Sequence, residues 1–460
     1  MADTAIPTRQ ATTSPARTSD LSTLALWGGG IFVLALPIVL AFATGGYGLR
    51  RATFALAAVL LVLAVLAVLA PWPLVPCGRP LLALAALAGF TAWSAISIAW
   101  ARVLGDAAAD AYRLTLYVAA FAVALCCLRL PELRRRVPDA LLAGIVLAGL
   151  YALAGRLFPG VVEVPEGARQ DRLNEPFTYW NALGIFMVMG ILLAVAAASV
   201  EDRPPAPRAL TCVAAVPCGV ALYLTYSRAS WLALGAGLVF LVLLRPRRAV
   251  VLAAVLSLGA IAVLVAAVQA FPALLDGQGE RTGQALAFTA ITGLVCAVAA
   301  LAHLRLAASP AAGAGLPIGP RLARAAAIVT IPAVIGVGLL VAMGGGNEEV
   351  RSGGGRVATL DTNRDALWGV ALDAFAEHPV TGVGTSSFAV EWLRERDEVD
   401  RALDAHSLYV ETLAELGIVG ALLLAAFLAA SAAGVAAAAR AAPRDPVVVA
   451  ARVASRVEQG

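Results

Sequence analysis

The sequence predicts an all-α integral membrane protein, a polytopic bundle of about twelve transmembrane helices with one large polar loop on its extracytoplasmic side. Hydrophobic residues make up 60% of the 460 residues and charged residues only 14%, whereas a soluble domain carries about 25% charged residues. Apolar runs of about 20 residues, the length that crosses a hydrocarbon core, recur along the chain. The arginines gather in connections that a single orientation places on one side of the membrane.

The predicted transmembrane helices follow one another with short connections over most of the chain. The first run is too long for the apolar region of a signal peptide, and no small-residue cleavage site follows it, so we interpret it as a retained anchor. The runs near 209–225 and 229–244 are short and closely spaced. In chain order the runs lie near 24–43, 52–70, 81–100, 111–128, 139–158, 179–199, 209–225, 229–244, 249–270, 284–302, 324–343 and 412–439.

The arginines predict the orientation, because the cytoplasmic connections of membrane proteins carry an excess of basic residues. The basic clusters lie at 134–136, 245–248 and 305–324. With a cytoplasmic N-terminus, that side holds 19 Arg against 8 acidic residues and the opposite side 15 against 22, which accounts for all 34 basic and 30 acidic residues. Arg50 and Arg51 would lie on the wrong side, so the first hairpin is the weakest part of this topology.

On this topology the chain divides into five consecutive parts. The N-terminal tail is rich in Thr, Ala, Ser and Pro, which bury too little apolar surface to fold. The long loop far exceeds the roughly two to eight residues that usually connect helices in a bundle. The parts are a disordered cytoplasmic tail (1–23), the first eleven helices of the bundle (24–343), a long extracytoplasmic loop (344–411), the last transmembrane helix (412–439) and a basic cytoplasmic tail (440–460).

The long loop is predicted to contain two helices. Apolar residues recur at helical spacing between Leu367 and Phe375, which indicates an amphipathic helix that Pro379 stops. A second, polar helix is expected over 386–402. Amphipathic helices of this kind lie along a membrane surface with their apolar face in the headgroup region.

The chain lacks the sequence signatures of several classes of site. The six cysteines fall in or beside membrane segments, so a disulfide framework is not expected, and their spacing fits no zinc motif. Three histidines do not suffice for a His-rich metal site, and we predict neither a metal nor a cofactor. The sequence contains no GxxxxGK[ST] phosphate loop and no GxSxG nucleophile elbow. Basic residues do not cluster with aromatic ones on a soluble face, so nucleic acid is not an expected partner.

Three ionisable residues stand at the predicted outer boundary of the bundle. An arginine near membrane depth costs roughly 2.5–3.5 kcal/mol, so Arg228, between two apolar runs, faces a cavity or an anion, or else snorkels to headgroups. Arg364 begins the first loop helix, either as an anion ligand or as the partner of Asp361 or Asp365. His406 precedes the last membrane helix, either as a functional group or as a hydrogen-bonded interfacial histidine. The residue types alone leave these alternatives open.

Short motifs recur in a fixed order over about 170–425, and together they resemble the O-antigen ligase and polymerase superfamily of bacterial envelope glycan enzymes. The earlier helices agree with that superfamily mainly in hydropathy. The motifs are Tyr179-Trp180-Asn181-Ala182-Leu183-Gly184, Ser227-Arg228-Ala229, Arg364 with Trp368, His378-Pro379-Val380-Thr381-Gly382-Val383-Gly384, and His406-Ser407-Leu408-Tyr409-Val410-Glu411, ending in Glu415-Leu416-Gly417-Ile418-Val419-Gly420.

The resemblance implies a bundle of the membrane glycosyltransferase type in the cytoplasmic membrane. Members of the superfamily move a glycan from undecaprenyl diphosphate to an acceptor hydroxyl at the outer face of that membrane, and the ligases are described as metal-independent and inverting. By motif, His406 corresponds to the proposed catalytic base. Arg228 and Arg364 correspond to arginines that bind the donor diphosphate. Ser407 departs from the family pattern, in which Asn often follows the histidine.

The chemistry of these residue types agrees with the implied roles. Guanidinium groups keep their charge and bind phosphate oxygens through two parallel hydrogen bonds. Neutral imidazole, with a pKa near 6.5, accepts a proton from an attacking hydroxyl. The acceptor is left open as a lipid, a glycan or a protein.

Further residues are predicted to line the same cavity: Arg172, Tyr179, Asn181, Glu411 and Glu415. Asn181 has an interhelical hydrogen bond as its structural alternative. Glu411 and Glu415 share one face of the last helix and could orient His406 or pair with arginines. Trp231 and Trp368 are interpreted as interfacial anchors rather than as platforms for sugars.

Three functions compete on the sequence. The first is a ligase that joins a lipid-linked glycan to an acceptor, and the second is a polymerase that extends lipid-linked repeats; the sequence does not separate them. The third is a transporter of small anions, which would show inverted repeats and broken helices near the midplane, whereas the polar residues here gather at one outer rim. Many relatives carry further helices after the histidine motif, so both a truncated chain and a shorter variant of the family are left open.

Overall fold

The structure, a computed structural model, is built from helices in the residues that it describes, which are 20–159, 172–245, 247–276, 281–308, 364–396 and 402–441. Short 3-10 turns, Thr44–Gly46 and Ile98–Trp100, follow the first and third helices. The helices are α1 (Asp20–Phe42), α2 (Leu49–Leu69), α3 (Arg79–Ser97), α4 (Leu104–Cys127), α5 (Pro131–Leu157), α6 (Trp180–Ala198), α7 (Pro205–Leu224), α8 (Arg228–Leu244), α9 (Arg248–Val268), α10 (Pro272–Asp276), α11 (Thr282–Ala308), α12 (Arg364–Glu377), α13 (Phe388–Glu395) and α14 (Leu408–Ala441).

The predicted polytopic helical fold is confirmed. Within the described residues, ten helices are long and apolar enough to cross a membrane, and α8 is a shorter apolar helix of 17 residues. Every predicted apolar run in this part of the chain coincides with a helix, including the two short runs that form α7 and α8. The predicted run at 324–343 lies outside the described residues.

The centre of the bundle is formed by α6 and α7, which are the most enclosed of the long helices. Their apolar side chains belong to one core with those of α5, α8, α9 and α11. A second core joins α1, α2 and α4. A Cβ at Gly184 would come 2.5 Å from Ser230 Oγ, so glycine at this position lets the first turns of α6 and α8 approach closely.

The last helix, α14, packs along α3 and is broken at Gly417, whose φ of 61° and ψ of −163° are not helical. The chain that follows α12 fits into the break. Ile418 N–H donates to Pro379 O, and Val383 N–H donates to Ala414 O, both at 2.9 Å. A Cβ at Gly417 would meet Val380 O at 2.3 Å, which explains why this position is glycine.

Three boundaries differ from the sequence prediction. The first helix begins at Asp20, inside the predicted tail 1–23. In the described part of the predicted helix over 386–402, the helix is α13, because Ser386 has a left-handed φ of 54° and the backbone is extended at Arg396. The last helix begins at Leu408 rather than 412, so its first turn, which ends at Glu411, belongs to the helix and not to the predicted loop. Of the predicted loop 344–411, the segments 344–363 and 397–401 lie outside the described residues.

Candidate active site

The turn between α7 and α8 is fixed by side-chain hydrogen bonds, and Arg228 follows it directly. Arg172 donates from Nε to Thr225 O at 2.9 Å and from Nη2 to Tyr226 O at 2.8 Å. Thr225 Oγ1 accepts the N–H of Ser227 at 3.2 Å. Tyr226 has a left-handed φ of 50°, a conformation that costs a non-glycine residue about 1–3 kcal/mol. These contacts set the position of Arg228 at the start of α8.

Asn181 connects α6 to the same turn. Ser227 Oγ donates to Asn181 Oδ1 at 2.8 Å and lies 2.9 Å from Ser230 Oγ, while Asn181 Nδ2 donates to the Tyr179 hydroxyl at 2.8 Å. The interhelical hydrogen bond considered for Asn181 is therefore present. Arg172 also lies 4.4 Å from the centre of the Trp180 ring. Of the predicted cavity residues, Arg172, Tyr179 and Asn181 therefore support the turn before Arg228.

His406 belongs to a second group of contacts, at the start of α14. Its Nδ1 lies 2.6 Å from Asp404 Oδ1, and its backbone N–H donates to the same oxygen at 2.9 Å. A carboxylate that accepts the N–H two residues further on forms an Asx turn. His406 has a left-handed φ of 52°. Its side chain is 44% exposed and that of Asp404 is 52% exposed, so the ring is held at one nitrogen and open to a substrate.

The residue between Asp404 and His406 is clamped from both sides. Ala405 is fully buried, its N–H donates to Glu411 Oε2 at 3.0 Å, and its carbonyl accepts from Trp368 Nε1 at 3.1 Å. Trp368, interpreted from sequence as an interfacial anchor, thus connects α12 to the histidine segment. Glu411 orients His406 through the backbone rather than through the ring.

Glu415 supports the loop beside α13. Its Oε2 accepts the N–H of Ser386 and its Oε1 accepts the N–H of Phe388, each at 2.9 Å. The hydroxyl of Ser386 donates to Asp110 of α4. Burial has the largest effect on the ionisation of Glu411 and Glu415, and the negative charge of Asp110 acts on both as well. Glu415 is buried, and both of its oxygens are engaged by backbone donors.

The charges around His406 act on its pKa in opposite directions. The hydrogen bond to Asp404 raises the pKa of His406 above its ordinary value of 6.5, and partial burial opposes it. The same hydrogen bond lowers the pKa of Asp404. The positive charge of Arg364 lowers the pKa of His406, so these two predicted site residues interact electrostatically in the structure. Because both the imidazole and the carboxylate are half-exposed, water screens these interactions.

The loop that ends at α13 is anchored to the connection between α3 and α4. Thr385 N–H donates to Ser97 Oγ at 3.0 Å, and Arg102 N–H donates to Ser387 Oγ at 2.9 Å. The guanidinium of Arg102 pairs with the buried Glu391 at 2.8 Å. The histidine group therefore sits over the end of α3 and the start of α4.

Contacts continue from this position to the Arg228 group along one face of the bundle. Arg113 lies one turn after Asp110 in α4, and its guanidinium donates to Tyr47 O in the α1–α2 connection at 3.0 Å. A Cβ at Gly45 in that connection would lie 3.4 Å from the ring of Phe177. Phe177 belongs to the α5–α6 connection, which also carries Arg172. The two groups of predicted site residues are thus brought to the same face.

Left-handed backbone is concentrated at this face. Five non-glycine residues in the described part of the chain have a positive φ, and each lies in one of the connections just described. Backbone held in sparsely populated regions costs free energy and tends to occur at functional sites. In the described part of the chain the non-glycine residues with positive φ are Thr44, Thr178, Tyr226, Ser386 and His406.

Sequence reasoning missed two residues of the site. Asp404 stands two positions before His406, and this spacing is the one signal that could have indicated an Asx turn. Asp110 contacts Ser386 from 276 positions away, and no local pattern indicates that. The described residues contain no group of three or more His, Cys, Asp or Glu side chains arranged to hold a metal ion.

The chain is therefore a helical integral membrane protein with a strained polar face that gathers arginines, carboxylates and one histidine. Residues 213–425 match a family model described as O-antigen ligase, which supports the predicted resemblance to the O-antigen ligase superfamily over this region. Arg228, Arg364 and His406 fall inside the match, whereas Arg172, Tyr179 and Asn181 precede it. No curated protein and no solved structure matches the chain.

Proposed function

We propose that the chain is a membrane glycosyltransferase of the O-antigen ligase type, which transfers a glycan from undecaprenyl diphosphate to an acceptor hydroxyl at the extracytoplasmic face. The acceptor is a lipid, a glycan or a protein. One observation carries the proposal: within the family-matched region, His406 and the turn before Arg228 both adopt left-handed backbone at the same face of the bundle. The proposed site comprises these two residues with Arg364.

The order of the helices supports a common membrane face for the two groups. Between the connection that anchors the histidine group and the turn before Arg228, the chain passes through α4, α5, α6 and α7. Each of these helices is long and apolar enough to cross a membrane, and an even number of crossings returns the chain to its starting face. The arginine distribution favours an extracytoplasmic position for this face, with the N-terminus in the cytoplasm. The family resemblance favours the cytoplasmic membrane.

In the proposed reaction, Nε2 of His406 removes the proton from the acceptor hydroxyl as its oxygen attacks the anomeric carbon. The bond from that carbon to the diphosphate oxygen breaks, and its electron pair leaves with the diphosphate. Arg228 and Arg364 bind the developing charge; unit charges at 4 Å attract by roughly 4 kcal/mol at an effective dielectric near 20. Attack opposite the leaving group inverts the anomeric centre, and two permanent cations serve without a metal ion.

The position of Arg228 favours an anionic ligand for a second reason. It is the first residue of α8, where the backbone N–H groups of the first turn have no acceptor within the helix. The helix dipole adds a partial positive charge at the same end. A diphosphate beside Arg228 would therefore meet both the guanidinium and the start of the helix.

The alternatives differ in acceptor or in class. A polymerase would use the same groups with a second lipid-linked glycan as acceptor, and the description of the matching family as O-antigen ligase favours the ligase. A transporter would use a broken helix to expose a site near the midplane. The break in α14 at Gly417 is instead filled by the backbone at Val380, which favours the enzyme.

We expect His406→Ala and Arg228→Ala to abolish glycan transfer while expression and membrane insertion stay normal. Each variant is introduced into a strain deleted for the gene, and lipid-linked and surface glycans are profiled by mass spectrometry. Exposed His378 provides the matched control, and His378→Ala should restore the glycans. In the deletion strain, accumulated full-length lipid-linked polymer supports a ligase and single repeats support a polymerase. An unchanged glycan profile, or full transfer by either site variant, would end the proposal.

A further inference from the structure

We propose that Asp404 is a positioning residue for His406, fixing the direction and the tautomer of the imidazole so that Nε2 faces the acceptor hydroxyl. This assignment rests on the proposed function, in which His406 is the base. It adds a residue that neither the motif order nor the hydropathy pattern singles out. Asp404 acts through His406 and is not assigned a contact with the substrate.

The geometry joins the backbone and the ring of His406 to one carboxylate oxygen. Asp404 Oδ1 accepts the N–H of His406 at 2.9 Å and lies 2.6 Å from Nδ1 of its ring. The first contact closes an Asx turn and stabilises the left-handed φ of 52° at His406. The second removes the freedom of the ring to rotate. One side chain therefore sets both the backbone and the side-chain torsions of the proposed base.

The contact at Nδ1 also selects the tautomer. A carboxylate oxygen only accepts, so the proton of the neutral ring resides on Nδ1 and the lone pair on Nε2. When the acceptor hydroxyl gives its proton to Nε2, the ring becomes an imidazolium with a hydrogen on each nitrogen. The nearby carboxylate stabilises that cation without taking up a proton, as in the aspartate–histidine pairs of hydrolases.

The other charges that face His406 make this stabilisation necessary. Arg364 of α12 lowers the pKa of His406 and so disfavours a positive charge on the ring, whereas Glu411 of α14 raises that pKa and favours the charge. Glu411 Oε2 is engaged by the N–H of Ala405. Among the described residues, Asp404 is the carboxylate that forms a hydrogen bond with the ring itself. Its negative charge offsets the positive charge of Arg364, which we propose binds the diphosphate.

Two substitutions separate geometry from charge. Asp404→Asn keeps an oxygen that can accept the backbone N–H, so the turn is retained while the negative charge is lost. Asp404→Ala removes both. Asp373→Asn, an exposed position on α12, makes the same chemical change without a bond to the ring and serves as the matched control.

The first measurement is the pKa of the His406 ring, which needs no substrate. The chain has three histidines, so protein labelled at histidine and held in lipid nanodiscs gives few ring signals in nuclear magnetic resonance, and His406→Ala assigns the relevant one. We expect Asp404→Asn to lower the pKa of His406 and Asp373→Asn to leave it unchanged. An unchanged pKa in Asp404→Asn would overturn the inference.

The second measurement is the rate of glycan transfer against pH, with the lipid-linked glycan extracted from the deletion strain as donor. We expect Asp404→Asn to lower kcat by about 10-fold to 100-fold, the range seen when the hydrogen-bond partner of a metal-bound histidine is replaced, with little change in KM and with the acid limb moved to lower pH. A wild-type rate, or a loss of rate with an unmoved acid limb, would contradict a positioning role. Full transfer by His406→Ala would instead refute the proposed function itself.

Discussion

Replacing Gly417 with alanine should separate the histidine segment from the loop that supports it. Gly417 has φ of 61° and ψ of −163°, a region that side chains hardly enter. An added Cβ would also meet Val380 O at 2.3 Å, and this contact is to backbone, so no side chain can rotate away. Either α14 becomes straight or the loop at Val380 moves out of the break.

The expected cost can be worked from these contacts. Forcing alanine into a glycine-only conformation costs about 1–3 kcal/mol. Displacing the loop breaks the hydrogen bond from Ile418 to Pro379, which contributes about 0.5–1.5 kcal/mol. We therefore expect Gly417→Ala to lower the free energy of unfolding by about 2–4 kcal/mol. Transfer should fall as well, because Glu415, just before the break, supports the loop at Ser386.

Gly434→Ala supplies the control in the same helix. A Cβ at Gly434 meets nothing within 4 Å, and alanine is favoured over glycine by about 1 kcal/mol within a helix, so this variant should be neutral or more stable. Both variants and the wild type are unfolded by SDS in mixed micelles, with tryptophan fluorescence as the signal. If Gly417→Ala unfolds at the same SDS fraction as Gly434→Ala, the break does not hold the loop and the reasoning is wrong.

Three further predictions follow from the contacts of the site. Trp368→Phe keeps an aromatic ring but loses the hydrogen bond to Ala405, so transfer should fall about 2-fold to 10-fold at normal expression. An unchanged transfer rate would show that Trp368 does not support His406. Asn181→Leu leaves the hydroxyl of Ser227 without this acceptor and should destabilise the protein by about 1–3 kcal/mol in the same SDS assay, whereas equal stability would show that the hydrogen bond contributes nothing. Transfer should rise with pH through a midpoint above 6.5, because the base must be neutral and the hydrogen bond to Asp404 raises the pKa of His406. The contribution of this hydrogen bond to the free energy of unfolding depends on pH in the opposite direction. It is fully present below pH 6.5 and is lost as the pH rises through the raised pKa of His406. A rate profile with its midpoint below 6.5 would contradict the described contact.

The membrane-spanning helices were predictable because lipid imposes their length and composition. A helix that spans hydrocarbon must satisfy its backbone internally and keep about 20 apolar residues. The boundaries of α13 and α14 were not predictable, since they depend on Glu415 bonding Ser386 and on the break at Gly417. These contacts join segments that are distant in sequence.

The candidate site could be predicted from the sequence only in part. Arg228 and His406 belong to short local motifs, so both could be proposed as site residues from the sequence alone. The environment of each required tertiary structure. Asp110 reaches Ser386 across 276 positions. Glu415 is predicted to line the substrate cavity, and both of its carboxylate oxygens are bonded to backbone N–H groups, which the sequence did not indicate.

The separation of the two groups of contacts is compatible with the inverting displacement that we propose. In the proposed reaction the acceptor oxygen and the departing diphosphate lie on opposite sides of the anomeric carbon, so His406 and Arg228 would contact the substrate from different sides. His406 is held by Asp404 and the α12–α14 contacts, whereas the turn before Arg228 is held by α6 and Arg172. Each position is stabilised independently at the same face. A substrate bound between them would meet a proton acceptor on one side and a fixed cation on the other, and a change in one group should therefore leave the geometry of the other intact.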